Sequence, residues 1–281
     1  MAKHKKISDR IQGSSHGPIM RLIDPGYLGE KLKPFIFLDF FNAEIQPGFG
    51  FPMHPHSGIA TLTWQPGCDV SYQDTTGQKG ILKAGGLEWM NSGGGAWHQG
   101  LLMGSGHVTG FQLWVPMPPM IEEGASQGMY IAPEEVPSSI IPGGTIHVFL
   151  GELEQTQVNL TSNIPSHQDM NYFVITLKEG EAWSYSPPQR HDVSWAFSFE
   201  GLSQVQDVVS DKELLIFEGD GVIDFKATLG TSRILVGSAK KHTYRLVLGQ
   251  SSVHTSEAAL EKGMQKIKEI GVQIRKSKSS F

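Results

Sequence analysis

Residues 34 to 115 of this 281-residue chain form a series of short apolar segments, each followed by a glycine-rich or polar turn. Residues 59–64 show the period of a strand, with Ile, Thr and Thr on one face and Ala, Leu and Trp on the other. Glycine accounts for 33 of the 281 residues, about 12% against a usual ~7%. Short strands with frequent turns are typical of a sandwich or a barrel, so we predict an all-β chain.

A second series of strand-like segments begins near residue 145 and continues to residue 236. The stretch between the two series, from Pro116 to about Ser139, is rich in Pro, Glu, Gly and Ser. We expect it to be a connector, because proline removes ladder donors and ends strands. The sequence therefore predicts two all-β units of similar size, residues 1–135 and residues 136–281.

One helix is predicted near the end of the chain. Ser256 can cap its first turn and Gly271 can end it. Between these positions apolar residues recur at helical spacing, which gives the helix one packing face. We expect this face to lie across one of the β units, and we assign the helix to the unit 136–281. The apolar face consists of Leu260, Met264, Ile267 and Ile270.

Charge and composition exclude several classes of function. The net charge is −5, without the basic patch of a nucleic-acid-binding protein, so no direct nucleic-acid partner is expected. Cys68 is the only cysteine, which excludes an internal disulfide and suits a reducing compartment. No apolar run is long enough to span a bilayer, and no apolar segment of a signal peptide follows the Lys-rich N-terminus. We therefore expect a cytoplasmic protein with no membrane partner.

The sequence His54-Pro55-His56 is the main candidate for a functional site. Successive side chains of a strand alternate between its two faces, so both imidazoles project to the same side. Two convergent imidazoles can form half of a metal site. A third histidine, His98, follows after several strand-like segments and could complete the set.

The segments around these histidines resemble a known family. Gly48, the two histidines, Ala60 and Gly67 match the spacing of the first cupin motif. Residues 37–41 (Phe-Leu-Asp-Phe-Phe) and 50–58 (Gly-Phe-Pro-Met-His-Pro-His-Ser-Gly) resemble the pirin family. Residues 84–98, which end in Gly-Gly-Gly-Ala-Trp-His, and residues 111–115 continue that resemblance.

This resemblance implies a fold of two cupin-type β-barrels, a bicupin, with the C-terminal helix packed on the barrels. It places the metal site in the N-terminal barrel, while the C-terminal barrel has no metal motif. The family's three histidine ligands fall on His54, His56 and His98. Its fourth ligand is a Glu two residues after the third histidine, and that position is Gly100. The other acidic position of the cupin motif is Ala60, so neither expected carboxylate is present.

Three neutral imidazoles still form a workable site for a divalent transition metal. The resemblance makes iron the first candidate, with zinc, nickel, copper and manganese as alternatives, and a site that stays empty as a further one. Loss of the carboxylate raises the net charge of the site by one and removes the nearest general base. Glu88 and Gln112 lie on neighbouring predicted strands, so they are candidates to contact the metal ligands or a water on the metal. A solvent-facing Glu88 is the alternative.

The resemblance leaves three functional hypotheses. The first is a quercetinase-like dioxygenase with a small aromatic substrate. The second is a non-enzymatic regulatory protein that senses metal or redox state and acts through protein partners. The third is a metal-free barrel that binds a small ligand. The sequence assigns no catalytic residue.

Overall fold

The computed structural model describes residues 3–278, which are mostly strands. The all-β prediction is confirmed, with a six-residue helix and one long C-terminal helix as the only α-helices in this described range. The elements in chain order are β1 (Lys6–Gln12), β2 (Ser14–His16), β3 (Ile19–Ile23), α1 (Tyr27–Leu32), β4 (Phe37–Ile45), β5 (Gly50–His56), β6 (Ile59–Trp64), β7 (Val70–Asp74), β8 (Lys79–Leu82), β9 (Leu87–Asn91), β10 (Ala96–Leu102), β11 (Gly106–Pro116), β12 (Gln127–Ile131), β13 (Ser138–Ile141), β14 (Gly144–Leu150), β15 (Glu152–Gln155), β16 (Val158–Thr161), β17 (Met170–Leu177), β18 (Ala182–Tyr185), β19 (Val193–Val205), β20 (Val208–Ser210), β21 (Glu213–Glu218), β22 (Ile223–Ala239), β23 (Val247–Gly249), β24 (Ser252–His254) and α2 (Glu257–Lys278).

The chain divides into two compact units. The first, which we call the histidine unit, comprises residues 15–134 and 243–281. Its strands form a seven-stranded sheet in the order β12-β9-β6-β11-β4-β3-β2 and a four-stranded sheet in the order β5-β10-β7-β8. Side chains from both sheets line one cavity, so the two sheets enclose it.

The second unit, which we call the filled unit, comprises residues 1–14 and 135–242. Its main sheet has nine strands, with β1-β21-β19-β22-β17-β14-β13 in order and β18 and β20 attached to β22 and β19. A continuous cluster of buried apolar side chains fills this unit, including Phe173, Tyr185 and Phe225.

The two units differ from the predicted division into 1–135 and 136–281. The change of unit within the chain falls where the connector was predicted, at Glu134–Glu135, but both ends of the chain belong to the other unit. Strand β1 pairs with β21, which places the first residues in the filled unit. Helix α2 packs against β10, β5 and β24, which places it in the histidine unit. Contacts between segments that are distant in the sequence decide both ends, and such contacts leave no local signal in the sequence.

Helix α2 begins as predicted but continues beyond Gly271. The Ser256 hydroxyl accepts a hydrogen bond from the backbone N–H of Ala259, which is the predicted cap. Gly271 does not end the helix. It leaves room for the Trp97 ring, because a Cβ there would lie 2.7 Å from Trp97 Cζ2. The Trp97 indole N–H also donates to the carbonyl of Ile267 at 2.8 Å. This glycine therefore allows a close approach and is not a stop signal.

Two further boundaries differ from the sequence-based reading. The end of the predicted second series, up to residue 236, lies in one 17-residue strand, β22, which continues to Ala239. That strand passes through Gly230, whose φ of 68° lies in the left-handed region that glycine tolerates. The first 33 residues contain β1, β2, β3 and α1, where no element was predicted.

In the part of the chain that the structure describes, no helix is long and apolar enough to cross a membrane.

Candidate metal centre

Two antiparallel strands of the four-stranded sheet, β5 and β10, carry the three histidines. His54 lies directly opposite His98 in the register, and His56 lies two residues along β5. The register then shifts by one residue, so that Gly100 faces Phe51. Such a bulge changes the direction of a strand locally without changing the face on which its flanking side chains project. The strand alternation predicted from His54-Pro55-His56 is confirmed.

The three imidazoles converge on one point. Ring centroids are 4.5 Å apart for His54 and His98, 4.9 Å for His54 and His56, and 5.2 Å for His56 and His98. One ring nitrogen from each residue lies within 4.8 Å of the other two. Between residues 3 and 278, no other group of three His, Cys, Asp or Glu side chains has this arrangement. The predicted histidine set is therefore brought together in space.

Each imidazole is oriented by an acceptor at its Nδ1 atom. The carbonyl of Pro52 lies 2.7 Å from His54 Nδ1, and the carbonyl of Ser251 lies 2.8 Å from His56 Nδ1. His98 Nδ1 lies 2.6 Å from Glu88 Oε1. Carbonyl and carboxylate oxygens only accept hydrogen bonds, so each Nδ1 carries the proton and each Nε2 keeps its lone pair.

The Nε2 atoms face the common point. Those of His56 and His98 are buried and have no hydrogen-bond partner. A buried nitrogen with a free lone pair is costly unless something binds it. Three neutral imidazole donors with an acceptor behind each are the usual arrangement around a bound transition metal. The donor set therefore fits a divalent transition metal.

Burial also keeps the imidazoles of His54 and His56 neutral. It lowers the pKa of His54 to about 4, with a smaller contribution from His98 in the same direction. Burial lowers the pKa of His56 well below its ordinary value, and His98 and His54 add to the effect. Neutral imidazole is the form that binds metals, so no proton has to leave these two rings at neutral pH.

A cavity of about 120 Å³ adjoins the histidines. Thr63 of β6, Glu88 of β9 and Gln112 of β11 lie opposite one another in the register of the seven-stranded sheet, so they share one face. They form the polar side of the cavity, together with Gln65. Its remaining walls are largely apolar and include Ile19, Phe41, Phe49, Phe51, Val70 and Leu102.

Glu88 and Gln112 therefore face the site, and the solvent-facing alternative for Glu88 is wrong. Glu88 is 5% exposed and Gln112 is 6% exposed.

Position 60 behaves differently from the expectation. Ala60 alternates with Thr61 and Thr63 on β6, so its side chain lies on the opposite face from the cavity. A carboxylate at this position would not reach the histidines, so its absence costs the site nothing.

Two tyrosines and one aspartate near Glu88 had no signal in the sequence. Tyr130 of β12 lies opposite Glu88 in the register, and its hydroxyl donates to Asp74 Oδ2 at 2.8 Å. Tyr72 stacks on Tyr130 at 3.5 Å between ring centroids. Burial raises the pKa of the Tyr130 hydroxyl, and Glu88 and Asp74 raise it further. Tyr130 is thus a neutral hydrogen-bond donor next to the site.

The segment before α2 holds the strand that carries His56. Besides the Ser251 carbonyl, Ser252 Oγ accepts from the backbone N–H of Ser57 at 3.1 Å. His254 Nε2 lies 3.0 Å from Ser57 Oγ, and a Cβ at Gly263 would lie 2.5 Å from both of these atoms. Sequence reasoning missed this segment because its residues lie almost 200 positions after their partners.

Comparisons with known proteins identify the family of this chain. The pirin family profile matches residues 20–115. A pirin-like protein of Caulobacter vibrioides is 33% identical over 196 residues, which cover 68% of this chain and 70% of the relative. A Pseudomonas aeruginosa protein, provisionally named a quercetin 2,3-dioxygenase, is 26% identical over 253 residues and covers 85% of this chain and 88% of its own length.

The fold is also shared with a solved structure. The crystal structure of quercetin 2,3-dioxygenase from Acinetobacter baumannii superposes with a TM-score of 0.84 at 22% identity. The match covers 95% of this chain and 98% of that one. The expected bicupin fold with a C-terminal helix is thereby confirmed.

Proposed function

Because this chain belongs to the pirin family, we propose that it is a metal-dependent dioxygenase whose metal is held by His54, His56 and His98. Quercetin is the first substrate to test. The observation that carries the proposal is the convergence of one ring nitrogen from each histidine, together with the buried Nε2 atoms of His56 and His98 that have no hydrogen-bond partner. Buried unpaired nitrogens of this kind have a physical reason to exist if a metal binds them.

The donor set favours a borderline or soft divalent ion. Imidazole suits iron, nickel, copper and zinc better than it suits magnesium or calcium. We propose iron as the resident metal, with nickel, copper, manganese and zinc as the alternatives to be tested. When bound, such a metal polarises a substrate oxygen and, if it is redox-active, gives electrons a path between substrate and O2.

The chain's own residues bind and orient the substrate. Gln112 and Thr63 present an amide and a hydroxyl to the cavity, where they can hydrogen-bond to substrate oxygens. The apolar walls around Phe41, Phe51 and Val70 exclude water from the region next to the histidines. A hydroxylated aromatic molecule satisfies both surfaces.

The cavity volume restricts how a flavonol can enter. A cavity of about 150 Å³ holds benzene, so the cavity of about 120 Å³ next to the histidines holds one ring at most. Quercetin has three rings, and the others must extend past the cavity mouth. Phe49 lines the cavity and is 43% exposed. A Phe49→Ala variant should therefore lower the KM for quercetin more than it changes kcat.

The test is O2 consumption with quercetin after anaerobic loading with iron, nickel, copper or manganese. Turnover in the wild type and its loss in His54→Ala are expected. His107→Ala is the matched control, because His107 is exposed and paired with Glu44 at the surface. No turnover with any of these metals would overturn the dioxygenase assignment, and absence of bound metal would overturn the site itself.

A second candidate, regulation through a protein partner, has one observation in its favour. Pro55 on β5 and Trp97 on β10 lie next to the ligands in the sequence. Their side chains project to the opposite face of the sheet from the histidines and line an open surface groove. Met264 and Ile267 of α2 line the same groove. A bound metal without turnover, together with a partner that binds in only one redox state, would favour this candidate.

A further inference from the structure

Glu88 is the one acidic side chain that contacts a histidine of the site in the described part of the chain. It lies on β9 of the seven-stranded sheet, whereas the histidines lie on the four-stranded sheet. Its Oε1 atom accepts the hydrogen bond from His98 Nδ1 at 2.6 Å, and both side chains are almost fully buried. The acceptors behind His54 and His56 are neutral carbonyls. Of the three imidazoles, His98 alone is thus backed by a carboxylate.

The other carboxylate oxygen of Glu88 is directed towards Gly100. A Cβ built on Gly100 would lie 3.9 Å from Glu88 Oε2. The rest of its surroundings are open, since its nearest neighbour would be Val70 Cγ1 at 3.4 Å. Gly100 also lies outside the left-handed region, so its backbone can take any side chain. A carboxylate side chain at position 100 would therefore occupy space next to the carboxylate of Glu88.

We propose that Glu88 supplies the negative charge of the site from the opposite sheet, in place of a side chain at position 100. This inference rests on the proposed metal site. Glu88 acts as a positioning residue through His98: it fixes the tautomer and makes the imidazole a stronger donor to the metal. Three neutral ligands would leave the charge of a divalent ion uncompensated in a buried site, and Glu88 offsets half of it.

Glycine at position 100 is part of the same arrangement. A carboxylate side chain at position 100 would begin 3.9 Å from Glu88 Oε2 at its Cβ, so two negative charges would be placed close together and repel each other. Each carboxylate is therefore useful only without the other. The proposal therefore predicts that mutation can move the negative charge of the site from position 88 to position 100.

The experiment is a double-mutant cycle on Co²⁺ affinity. Wild type, Glu88→Gln, Gly100→Glu and the double variant are titrated against a competing chelator, and the visible absorption of bound Co²⁺ is recorded. Glutamine can still accept the hydrogen bond from His98 Nδ1 but carries no charge. We expect Glu88→Gln to bind Co²⁺ about 10- to 100-fold more weakly.

The double variant should recover about tenfold or more of that loss, whereas Gly100→Glu alone should gain much less. If Glu88 only held His98 in place, Glu88→Gln would bind as well as wild type, and that result overturns the inference. Failure of the double variant to recover affinity overturns it as well. If Glu88→Gln does not fold, the absorption spectrum and affinity of Gly100→Glu against wild type decide: a gain of tenfold or more in affinity contradicts competition between the two carboxylates.

Failure of the inference can be told apart from failure of the proposed function. Wild type that binds no Co²⁺ overturns the metal site. Wild type that binds Co²⁺ and is matched by Glu88→Gln overturns only the role of Glu88. Unfolding midpoints of the four metal-free proteins, measured in urea, separate loss of affinity from loss of structure.

Discussion

His191 of the filled unit is buried in a different way from His56 and His98 of the histidine unit. In the filled unit, His191 has a partner at each ring nitrogen, Ser238 Oγ at 2.8 Å and Asp169 Oδ1 at 3.0 Å. In the histidine unit, His56 and His98 each have one nitrogen bound and the other buried without a partner. A buried imidazole with both nitrogens satisfied has a structural role, because nothing remains for a ligand to bind. At the site three imidazoles converge, so nitrogens that lack a hydrogen-bond partner can bind one ion together.

The interiors differ in the same sense. In the filled unit, Phe173 packs against Tyr185 and Trp183, and such apolar side chains fill the interior. The Tyr185 hydroxyl bonds to Ser238 and Asn171 within that packing. In the histidine unit, the corresponding volume stays partly open next to the histidines. Metal binding is therefore expected to depend on the histidine unit and not on the core of the filled unit, and the following variants test that division of roles.

The largest expected effect is loss of the metal in His98→Ala. Purified wild type should contain about one metal per chain, and the variant should contain almost none, because the remaining two imidazoles lose a ligand and the link to Glu88. Metal content is measured by atomic emission after gel filtration. His191→Ala is the control from the filled unit and should keep its metal. Equal loss in both variants would contradict the division of roles.

Phe173→Ala should have the largest effect on stability. Phe173 is fully buried in the core of the filled unit, so its truncation should cost about 3–5 kcal/mol of unfolding free energy. The measurement is urea unfolding followed by circular dichroism. Metal content per folded chain should stay at the wild-type value. Gln112→Ala, which only enlarges the existing cavity, serves as the comparison, and a cost as large as that of Phe173→Ala would mean that the cavity wall carries stability too.

Gly263→Ala should destabilise the histidine unit although alanine favours helices. In an exposed helix this change stabilises by up to ~1 kcal/mol. Here the new methyl group would lie 2.5 Å from Ser57 Oγ and His254 Nε2, so a cost of about 1–3 kcal/mol from overpacking is expected. Metal affinity should fall as well, since Ser57 follows His56. Glu261→Ala, at an exposed position of the same helix, should change the unfolding free energy by less than ~0.5 kcal/mol.

The smallest effect is a pH dependence that comes from the filled unit. Burial lowers the pKa of His191, against the opposing effect of Asp169. The unfolded chain takes up this proton as the pH falls below ~6.5, whereas the folded chain takes it up only at lower pH. The stabilisation is complete above that pH and decreases below it. Urea unfolding of metal-free protein at about pH 7.5 and about pH 5.5 should show a smaller drop for His191→Gln than for wild type. An equal drop in both would assign the dependence to other groups.

The local part of the site could be predicted, because strand alternation depends only on neighbouring residues. In His54-Pro55-His56, alternation alone places both imidazoles on one face of the strand. The assignment of His98 follows from the resemblance to the pirin family. The same alternation, applied to Ala60, would have removed that position from the site. Thr61 and Thr63 share one face of β6, and Thr63 lines the cavity.

The orientation of the ligands could not be predicted, because it depends on pairing between distant strands. Glu88 reaches His98 across the two sheets, and Tyr130 faces Glu88 from the segment that was predicted as a connector. Ser251 reaches His56 from the far end of the sequence. The assignment of each chain end to the unit other than the predicted one also depends on contacts between residues that are distant in the sequence. None of these contacts leaves a spacing or a composition that a single sequence reveals.

The contact between His56 and Ser251 also sets the order in which the site is completed during synthesis. The two residues are 195 positions apart, so a growing chain contains all three histidines long before it contains the carbonyl that orients one of them. A metal that binds early meets one imidazole that is still free to rotate and to present either nitrogen. The set of acceptors is therefore complete only late in synthesis, and a chain released before residue 251 carries the three histidines without the acceptor that orients His56.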